Sequence, residues 1–242
     1  MKPEIICHMM SSVDGRLHPE RYTSPFYNVD DKVYLNSYFQ IGSRLQAEAI
    51  LIGRTTYQGH FSPKTYGQPG GTPVRDFAPF KGECPSGHYS IVLDAKGKIL
   101  HETVQPWGTS VLVILGEGVT EEYLEHLRTM GVSYLFAGTD GHDMEKALET
   151  LHDVFGIGRI LLEGGATVNG VFLKAGLIDE LSLTVYPGID GLKGVPTIFE
   201  YAGTTDERPA DGQCLELLSA TTEEGGLVWL RYRFHKTSEA QQ

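Results

Sequence analysis

The sequence has little positive charge, few cysteines and no long apolar run. Its 242 residues carry 31 acidic and 20 basic side chains, so the formal net charge is −11. This balance disfavours nucleic acid and anionic membranes as partners. It still allows a small anionic ligand, because local cations and backbone amides can outweigh the global charge.

The three cysteines, Cys7, Cys84 and Cys214, form neither a CxxC pair nor a zinc spacing. Such an odd, scattered set provides no disulfide framework, and we expect a reducing, cytoplasmic environment. No stretch reaches the roughly eighteen apolar residues of a membrane span. The N-terminal MKPEIICHMM lacks the apolar core of a signal peptide. The histidines show no ligand spacing, and we expect no metal.

Apolar runs alternate with amphipathic segments and predict an α/β fold. Strands are expected at 5–10, 49–53, 89–94, 110–115, 132–137, 159–163 and 180–187, with helices beginning near Asp30, Thr120 and Asp143. This alternation predicts a mainly parallel central sheet flanked by helices. The last strands, CLELLSA and GLVWLRYRF, enclose Glu224-Gly225-Gly226 and predict a C-terminal antiparallel hairpin. We expect a single domain over 1–236 and a frayed tail over 237–242.

The stretch ILLEGGATVNGVFLKAG places Glu163 and two glycines between a strand and a helix. Two glycines ahead of a helix allow backbone N–H groups to approach a ligand closely. A tight turn explains adjacent glycines equally well. Thr167 could cap the helix, and its hydroxyl could reach a phosphate. Glu163 could handle protons or pair with a base.

Further loops with polar or cationic residues follow other predicted strands. In open α/β sheets, ligands bind beyond the carboxyl ends of the strands, so these loops predict a nucleotide or phosphate site. Asp14 could handle protons, but a turn residue before Gly15 is the favoured interpretation. In GRTTY, Arg54 could meet a ribose phosphate or be a solvated surface arginine. Arg44 could equally complement the dipole of its helix.

Taken together, MSSVDGRL, AILIGRTTY, VLDAKGKI and LLEGGATVNGVFLKAGLIDELSLTVYPGIDG resemble the riboflavin-pathway pyrimidine reductases, above all the reductase half of the bacterial bifunctional deaminase-reductase. GRTTY is also similar to a turn of dihydrofolate reductase. The resemblance extends from Ile5 to Phe234. It implies a dihydrofolate reductase-like fold, NADPH as hydride donor, a small pyrimidine-like substrate and a homodimer.

The resemblance also assigns residues by motif. The cofactor's pyrophosphate and nicotinamide ribose would lie along the segment after Glu163, namely Gly164, Gly165, Ala166, Thr167, Val168 and Asn169. Met10 and Phe26 would contact the cofactor too, and its adenosine half would meet Gly53, Arg54 and Thr56. The substrate would be bound by Ser24, Arg44 and Glu163, with Glu163 and Asp14 as catalytic candidates.

The sequence departs from the family pattern at three places. His60 stands where the family usually has an aspartate, and we keep it as a cofactor-side candidate. Ala95 replaces a hydroxyl residue near the cofactor's 2′-phosphate, where Lys96 or Lys98 could substitute. Lys64 is the only cation in the stretch where two arginines would hold the substrate's ribose phosphate. We therefore expect the phosphorylated pathway intermediate to be a poor substrate.

A long loop over residues 60–88 is expected to close over the substrate. Two alternatives to the pyrimidine reductase stay open from the sequence. One is a reductase of the same fold that acts on another heterocycle or carbonyl. The other is an NADPH-binding module without turnover. Glu163, Arg44 and Ser24 argue against the module, because a pure cofactor binder needs no substrate-contacting residues.

Overall fold

The computed structural model describes residues 1–26, 29–67, 70–102 and 108–237. Along this part of the chain the elements are β1 (Glu4–Ser12), α1 (Asp31–Arg44), β2 (Ala49–Gly53), α2 (Arg54–His60), β3 (Tyr89–Leu93), β4 (Ser110–Leu115), α3 (Glu121–Met130), β5 (Ser133–Phe136), α4 (Met144–Asp153), β6 (Arg159–Leu162), α5 (Ala166–Lys174), β7 (Glu180–Tyr186), β8 (Gln213–Thr222) and β9 (Val228–Lys236). No helix among the described residues is both long and apolar enough to cross a membrane.

The chain forms two compact units. Unit 1 consists of Met1–Pro3 and Glu48–Ile160, and unit 2 of Glu4–Ala47 and Leu161–Gln242. The single domain expected over 1–236 stays a prediction. The expected tail lies outside the described residues except for Thr237, whose N–H donates to the Gly212 carbonyl at 2.8 Å.

Unit 1 contains four parallel strands in the order β5-β4-β3-β2. Every residue of β3, β4 and β5 is buried, which is typical of parallel strands covered by helices on both faces. Gly53 at the end of β2 lies opposite Leu93 at the end of β3, and Leu93 lies opposite Ile114 of β4. The loops after β2, β3 and β4 therefore leave from one edge of this sheet.

Unit 2 contains the strands β6-β1-β7-β9-β8 in that order, with only the last two residues of β6 belonging to it. β1 and β7 are parallel, and Ser12 lies opposite Tyr186 at their carboxyl ends. β9 lies between β7 and β8 and is antiparallel to both. The predicted mainly parallel sheet with helices and a C-terminal antiparallel hairpin is confirmed.

Three helices start where the sequence predicted, each after a capping side chain. Asp30 accepts a hydrogen bond from the N–H of Lys32 at 2.8 Å at the start of α1. Thr120 caps α3 and Asp143 caps α4, each through its side-chain oxygen. These side chains satisfy N–H groups that the first helical turn leaves unpaired. Local sequence alone therefore determines where these helices begin.

The loop between α2 and β3 is fastened to unit 1 along its centre. The N–H and hydroxyl of Thr72 donate to the Glu122 carboxylate of α3, at 3.0 and 2.9 Å. Phe80 and Tyr134 exchange two backbone hydrogen bonds of 3.0 Å, so the loop pairs with the edge strand β5. Covering an edge strand protects it from pairing with other chains. The expectation that the whole loop is a lid over the substrate is therefore wrong for this central part.

Candidate active site

Glu163 directly follows β6 and lies next to Tyr38 of α1. The Tyr38 hydroxyl lies near enough to the Glu163 carboxyl to influence its pKa. It also lies 3.0 Å from the His8 carbonyl oxygen of β1, to which it donates. Part of Glu163 reaches solvent, but burial of the carboxyl raises its pKa to about 7, with the Tyr38 hydroxyl opposing that rise. Near neutral pH this carboxyl can therefore either donate or accept a hydrogen bond.

The His8 ring stacks on the Tyr38 ring, with centroids 4.2 Å apart and planes within 9°. Burial lowers the pKa of His8 to about 4, so the ring is neutral at pH 7. Its Nε2 lies 3.2 Å from the Tyr38 carbonyl oxygen and must carry the hydrogen. Its Nδ1, 3.0 Å from the Ser182 hydroxyl, then accepts. His8 therefore supports Tyr38 and is not an acid–base group at neutral pH.

Trp229 of β9 extends this polar chain toward Arg44. Its indole N–H donates to the Ser182 hydroxyl at 2.9 Å. The guanidinium carbons of Arg44 and Arg231 lie 5.9 and 5.7 Å from the centre of the Trp229 ring, close enough for cation–π attraction. Arg44 is 53% exposed, and its Nη1 lies 3.4 Å from a Glu223 oxygen. The guanidinium is thus held in place and still open to a ligand.

The sequence did not indicate the roles of Tyr38, His8, Ser182 and Trp229. Tyr38 looked like one member of an apolar helical stripe. A histidine inside the apolar run IICHMM was the available signal, because a buried polar side chain needs partners. The partners lie on β7, β9 and α1, far away in sequence. Their identities could therefore not be obtained from the run itself.

The N-terminus of α5 follows the two glycines predicted to admit a ligand. Gly165 occupies the cap position with φ 79°, and no side chain caps the helix. A Cβ at Gly164 would collide with Oδ1 of Asn169, a fully buried residue. That oxygen has no hydrogen-bond partner among the described residues. Thr167, expected as a cap, is instead the second helical residue and exposed. The prediction that Thr167 caps α5 is wrong.

These features at α5 fit an anionic ligand. The first N–H groups of a helix without a side-chain cap are free to bind a phosphate, and the helix dipole favours negative charge there. The flanking residues Ala166 and Val168 are buried and half-buried, so the backbone of this turn is held by packing. The segment can therefore hold the pyrophosphate that the resemblance assigns to it.

Asp14 is placed as a structural anion. Its Oδ1 accepts hydrogen bonds from the Ser12 hydroxyl at 2.7 Å and the Asp190 N–H at 3.1 Å, and its Oδ2 accepts from the Gly191 N–H at 2.9 Å. These bonds lower the pKa of Asp14 to about 2. A carboxylate that stays ionised and fully bonded has no proton to give. The contacts support the turn interpretation, and the catalytic assignment of Asp14 is dropped.

The remaining candidates of unit 2 lie on β1 and in the loop after it. Met10 of β1 is half-buried, and its backbone lies opposite Thr184 of β7. Ser24 is exposed, and the Phe26 side chain is 94% exposed. Exposed side chains at these two positions are available to a ligand.

In unit 1, Gly53 ends β2 and starts the short helix α2. Nη1 of Arg54 donates to Gln58 at 2.7 Å, and its Nε lies 3.9 Å from Oδ1 of the buried Asp94. Thr56 is half-buried on α2, and His60 is its exposed last residue. Arg54 is therefore partly engaged within unit 1, and 39% of its side chain remains exposed.

Asp94 shapes the turn that follows β3. Its Oδ2 accepts the N–H groups of Lys98 at 2.6 Å and Ile99 at 2.9 Å. Burial nevertheless raises the pKa of this carboxyl above its usual range. Ala95 packs closely against Gly141: a Cβ added at Gly141 would lie only 2.5 Å from the Cβ of Ala95. The turn thus presents Lys96 and Lys98 on the surface from a rigid base.

A cleft of about 500 Å³ lies beside this turn. Lys96 and Lys98 line it together with Tyr66 and Tyr123, whose rings meet edge to face at 4.9 Å. Neither lysine forms an ion pair within the described ranges. Lys64, in contrast, lies 2.9 Å from the Glu102 carboxylate. Among the described residues, Lys96 and Lys98 are not paired with an acid, whereas Lys64 is paired with Glu102. A phosphate is therefore more readily bound by Lys96 and Lys98 than by Lys64.

The comparisons with known proteins identify the family. The family model described as the RibD C-terminal domain matches residues 3–227. The chain belongs to the RibD C-terminal domain family. Two curated relatives are each named 2,5-diamino-6-ribosylamino-4(3H)-pyrimidinone 5′-phosphate reductase. The Methanothermobacter thermautotrophicus protein is 27% identical over 226 residues, covering 92% of this chain and 94% of the relative. The Aquifex aeolicus protein is 27% identical over 202 residues, covering 81% and 82%.

A solved structure shows the same fold. The pyrimidine reductase-like protein of Corynebacterium diphtheriae superposes with a TM-score of 0.65 at 20% identity, covering 97% of this chain and 92% of that one. At this identity the likeness concerns the fold alone. The resemblance to the pyrimidine reductase family, stated from motifs, is thereby confirmed.

We predict that ionisation of the buried Glu163 carboxyl lowers the free energy of unfolding at alkaline pH. Its pKa is raised from 4.5 to about 7 on folding, so the native state favours the protonated form. Proton binding by Glu163 therefore stabilises the native state fully below pH 4.5, and this stabilisation is lost as the pH rises through 7. Glu163→Gln should therefore become more stable relative to the wild type by roughly 2–3 kcal/mol between pH 5 and pH 8.5, since each pKa unit corresponds to about 1.4 kcal/mol.

Urea unfolding at the two pH values measures this difference. Glu224→Gln, at an exposed position of unit 2, is the matched control and should leave the pH dependence unchanged. Parallel stability curves for Glu163→Gln and the wild type would show that the carboxyl is not buried as described.

Proposed function

We propose that this protein is an NADPH-dependent reductase. It transfers a hydride from the nicotinamide to a C=N or C=O centre of a pyrimidine-like substrate related to riboflavin biosynthesis. One observation carries the proposal: a carboxyl with a pKa near 7, at Glu163, immediately precedes the uncapped N-terminus of α5. Membership of the RibD C-terminal domain family and the names of both curated relatives support it.

The cofactor, when bound, supplies the hydride, and one added proton completes reduction of the double bond. For the cofactor, the resemblance assigns the α5 N-terminus to the pyrophosphate and Gly53, Arg54 and Thr56 to the adenosine half. Lys96 and Lys98 are our candidates for the 2′-phosphate. His60 and Ala95 stay on the cofactor side as expected from the sequence.

For the substrate we assign Glu163, Arg44 and Ser24. The Glu163 carboxylate suits the ring N–H and amino groups of a pyrimidine, because it accepts hydrogen bonds. Arg44, steadied by Trp229 and Glu223, suits a carbonyl or anionic group. We further propose a homodimer, as the resemblance implies, and a cytoplasmic location, as the scattered cysteines indicate.

The direct test is NADPH oxidation, followed by absorbance, with a panel of phosphorylated and dephosphorylated ribosylaminopyrimidines and of other heterocycles. We expect turnover, with the phosphorylated form as the poorer substrate, because the Lys64 ammonium is already paired with Glu102. The relatives are named for a 5′-phosphate substrate, so the comparison addresses a difference between this chain and its family.

Each outcome of this test separates the alternatives. NADPH binding without turnover of any pyrimidine would favour the binding module, and turnover of other heterocycles alone would favour a different reductase. A preference of about a hundredfold for the phosphorylated form, lost in Lys64→Ala, would contradict the weak phosphate grip.

The second prediction here concerns the pyrophosphate at α5. Gly165→Val would strain the backbone, since Gly165 has a φ of 79°. Thr167→Asp is a sharper change, because an acid in the first turn of a helix stabilises it by about 0.3–1 kcal/mol while repelling a phosphate. We expect NADPH affinity to fall by roughly tenfold or more, with thermal stability unchanged or higher. Thr167→Asn, of similar size and uncharged, should bind NADPH normally.

Isothermal titration of both variants with NADPH measures the affinities. Equal affinities of Thr167→Asp and Thr167→Asn would place the pyrophosphate elsewhere.

The third prediction concerns cofactor choice. Lys96→Ala with Lys98→Ala should weaken NADPH binding by roughly tenfold or more while leaving NADH affinity unchanged, because only NADPH carries the 2′-phosphate. Lys146→Ala, at a half-exposed lysine of the same unit, is the control for lost charge. Fluorescence titration with both cofactors at low salt gives the ratio. A parallel loss of NADH and NADPH would show that the lysines do not read the 2′-phosphate.

A further inference from the structure

Trp229 lies in the antiparallel part of the sheet, on the strand β9. Its backbone is paired on both sides, with Thr184 of β7 and Thr221 of β8. The half-buried side chain packs against a small apolar cluster of Tyr34, Ile41, Tyr186 and Leu227. Strand pairing and this packing together restrict both the position and the rotation of the indole ring.

A buried hydrogen-bond chain fixes the orientation of the same ring. The indole N–H donates to the Ser182 hydroxyl at 2.9 Å, and this hydroxyl lies 3.0 Å from Nδ1 of His8. Both Ser182 and His8 are fully buried. Rotation of the indole would leave the Ser182 oxygen without this donor, and an unsatisfied buried polar group destabilises the fold. The ring of Trp229 therefore presents a constant face.

Two arginines lie over this ring, and they differ in how their N–H groups are used. The Arg231 guanidinium, 5.7 Å from the ring centre, donates to both oxygens of Glu180 at 2.7 and 3.0 Å. The Arg44 guanidinium, 5.9 Å from the ring centre, donates to Glu223 at 3.4 Å, which is long for a charge-assisted hydrogen bond. Arg44 is also 53% exposed, against 33% for Arg231. Arg44 is therefore the arginine whose donors are open to a ligand.

An exposed arginine at the end of a helix is ordinarily mobile. Arg44 is the last residue of α1, and a free side chain of this length loses rotamer freedom when a ligand fixes it. The face of the Trp229 ring attracts the guanidinium and restricts it before a ligand arrives. This attraction needs no hydrogen-bond acceptor, so it leaves the N–H groups of Arg44 available.

We propose that Trp229 is a positioning residue for Arg44, and that an acceptor oxygen of the substrate displaces Glu223 from the guanidinium while Trp229 keeps it in place. The role rests on the proposed function, because it requires a substrate at Arg44. Glu223 is then an internal competitor, which pairs with Arg44 only in the free protein. Weakening the ring attraction should therefore weaken substrate binding, and removing the Glu223 charge should strengthen it.

Fluorinated tryptophan tests the ring attraction, because fluorine withdraws electron density from the ring face and keeps the indole N–H. The chain has two tryptophans, so a Trp107→Phe protein carries the label at position 229 alone and is itself the reference. Rings with one, two and three fluorine atoms should attract Arg44 progressively less. We expect KM to rise by about three- to tenfold over the series, with a smaller change in kcat and unchanged NADPH affinity.

Nitrogen-15 NMR of labelled arginine side chains follows Arg44 without any turnover. The Arg44→Lys variant identifies the Nε–H signal of Arg44. We expect this group to be ordered in the unfluorinated protein and to become more mobile along the fluorinated series. Arg231 is the internal control, because it lies over the same ring but is also held by two hydrogen bonds to Glu180.

Glu223→Gln tests the competition for Arg44. Loss of the carboxylate should lower KM by about two- to fivefold, since the substrate no longer displaces a charged acceptor. Glu224→Gln, at the next and exposed position, is the matched control and should leave KM unchanged. A KM that rises in Glu223→Gln would contradict the displacement.

An Arg44 signal that stays ordered, or a KM that stays constant, across the fluorinated series would overturn the positioning role. If Trp107→Phe does not fold, fluorination of both tryptophans decides through the Arg44 signal, because that signal reports the ring over which Arg44 lies. Mobility gained on fluorination in a protein that turns over no substrate would support the Trp229–Arg44 coupling and sink the proposed function. Turnover with a constant KM would do the reverse.

Discussion

Parallel strand pairing is the constraint on which the candidate site depends. In unit 1 the register aligns Gly53, Leu93 and Ile114, so the loops after β2, β3 and β4 leave from one edge. In unit 2, β1 and β7 end together at Ser12 and Tyr186. Because parallel strands require crossover connections, each of these ends leads into a loop or a helix N-terminus. Backbone N–H groups and polar side chains collect there as a consequence of topology.

The polar chain from Glu163 to Arg44 shows how one part of unit 2 pairs its buried polar groups. Tyr38, His8, Ser182 and Trp229 are linked one to the next by a ring stack and hydrogen bonds, and the Tyr38 hydroxyl lies beside the Glu163 carboxyl. The cost falls on Glu163, because desolvation disfavours its charged form. A carboxyl with a pKa near neutrality can bind the hydrogen-bond donors of a substrate, and its desolvation lowers the stability of the fold. The same chain links two residues that the family resemblance assigns to the substrate.

The residues at which the chain departs from the family pattern have local explanations. Ala95 packs against Gly141, where the space for a larger side chain is small. Lys64 forms an exposed ion pair with Glu102. Lys96 and Lys98 project from a turn that Asp94 holds through two backbone hydrogen bonds. The cofactor phosphate thus has candidate cations in unit 1, and the substrate phosphate has a weaker one.

The sequence by itself determined the elements whose causes are local. The strand at 49–53 has the predicted bounds, and helices begin beside Asp30, Thr120 and Asp143 as predicted, because each of these side chains caps backbone within a few residues. The motif after β6 likewise located Glu163 and the uncapped helix, although Thr167 proved not to be the cap.

Only the tertiary structure decided which side chains meet. Tyr38 and Glu163 are separated by more than a hundred residues, and so are Asp14 and the N–H groups of residues 190 and 191. The backbone pairing of Phe80 with Tyr134 also joins residues that are distant in sequence. Through it the loop between α2 and β3 covers the edge strand β5. Periodicity and capping report the local backbone, whereas these contacts follow from how strands and helices pack. Desolvation, which sets the pKa of Glu163, exists only once that packing has formed.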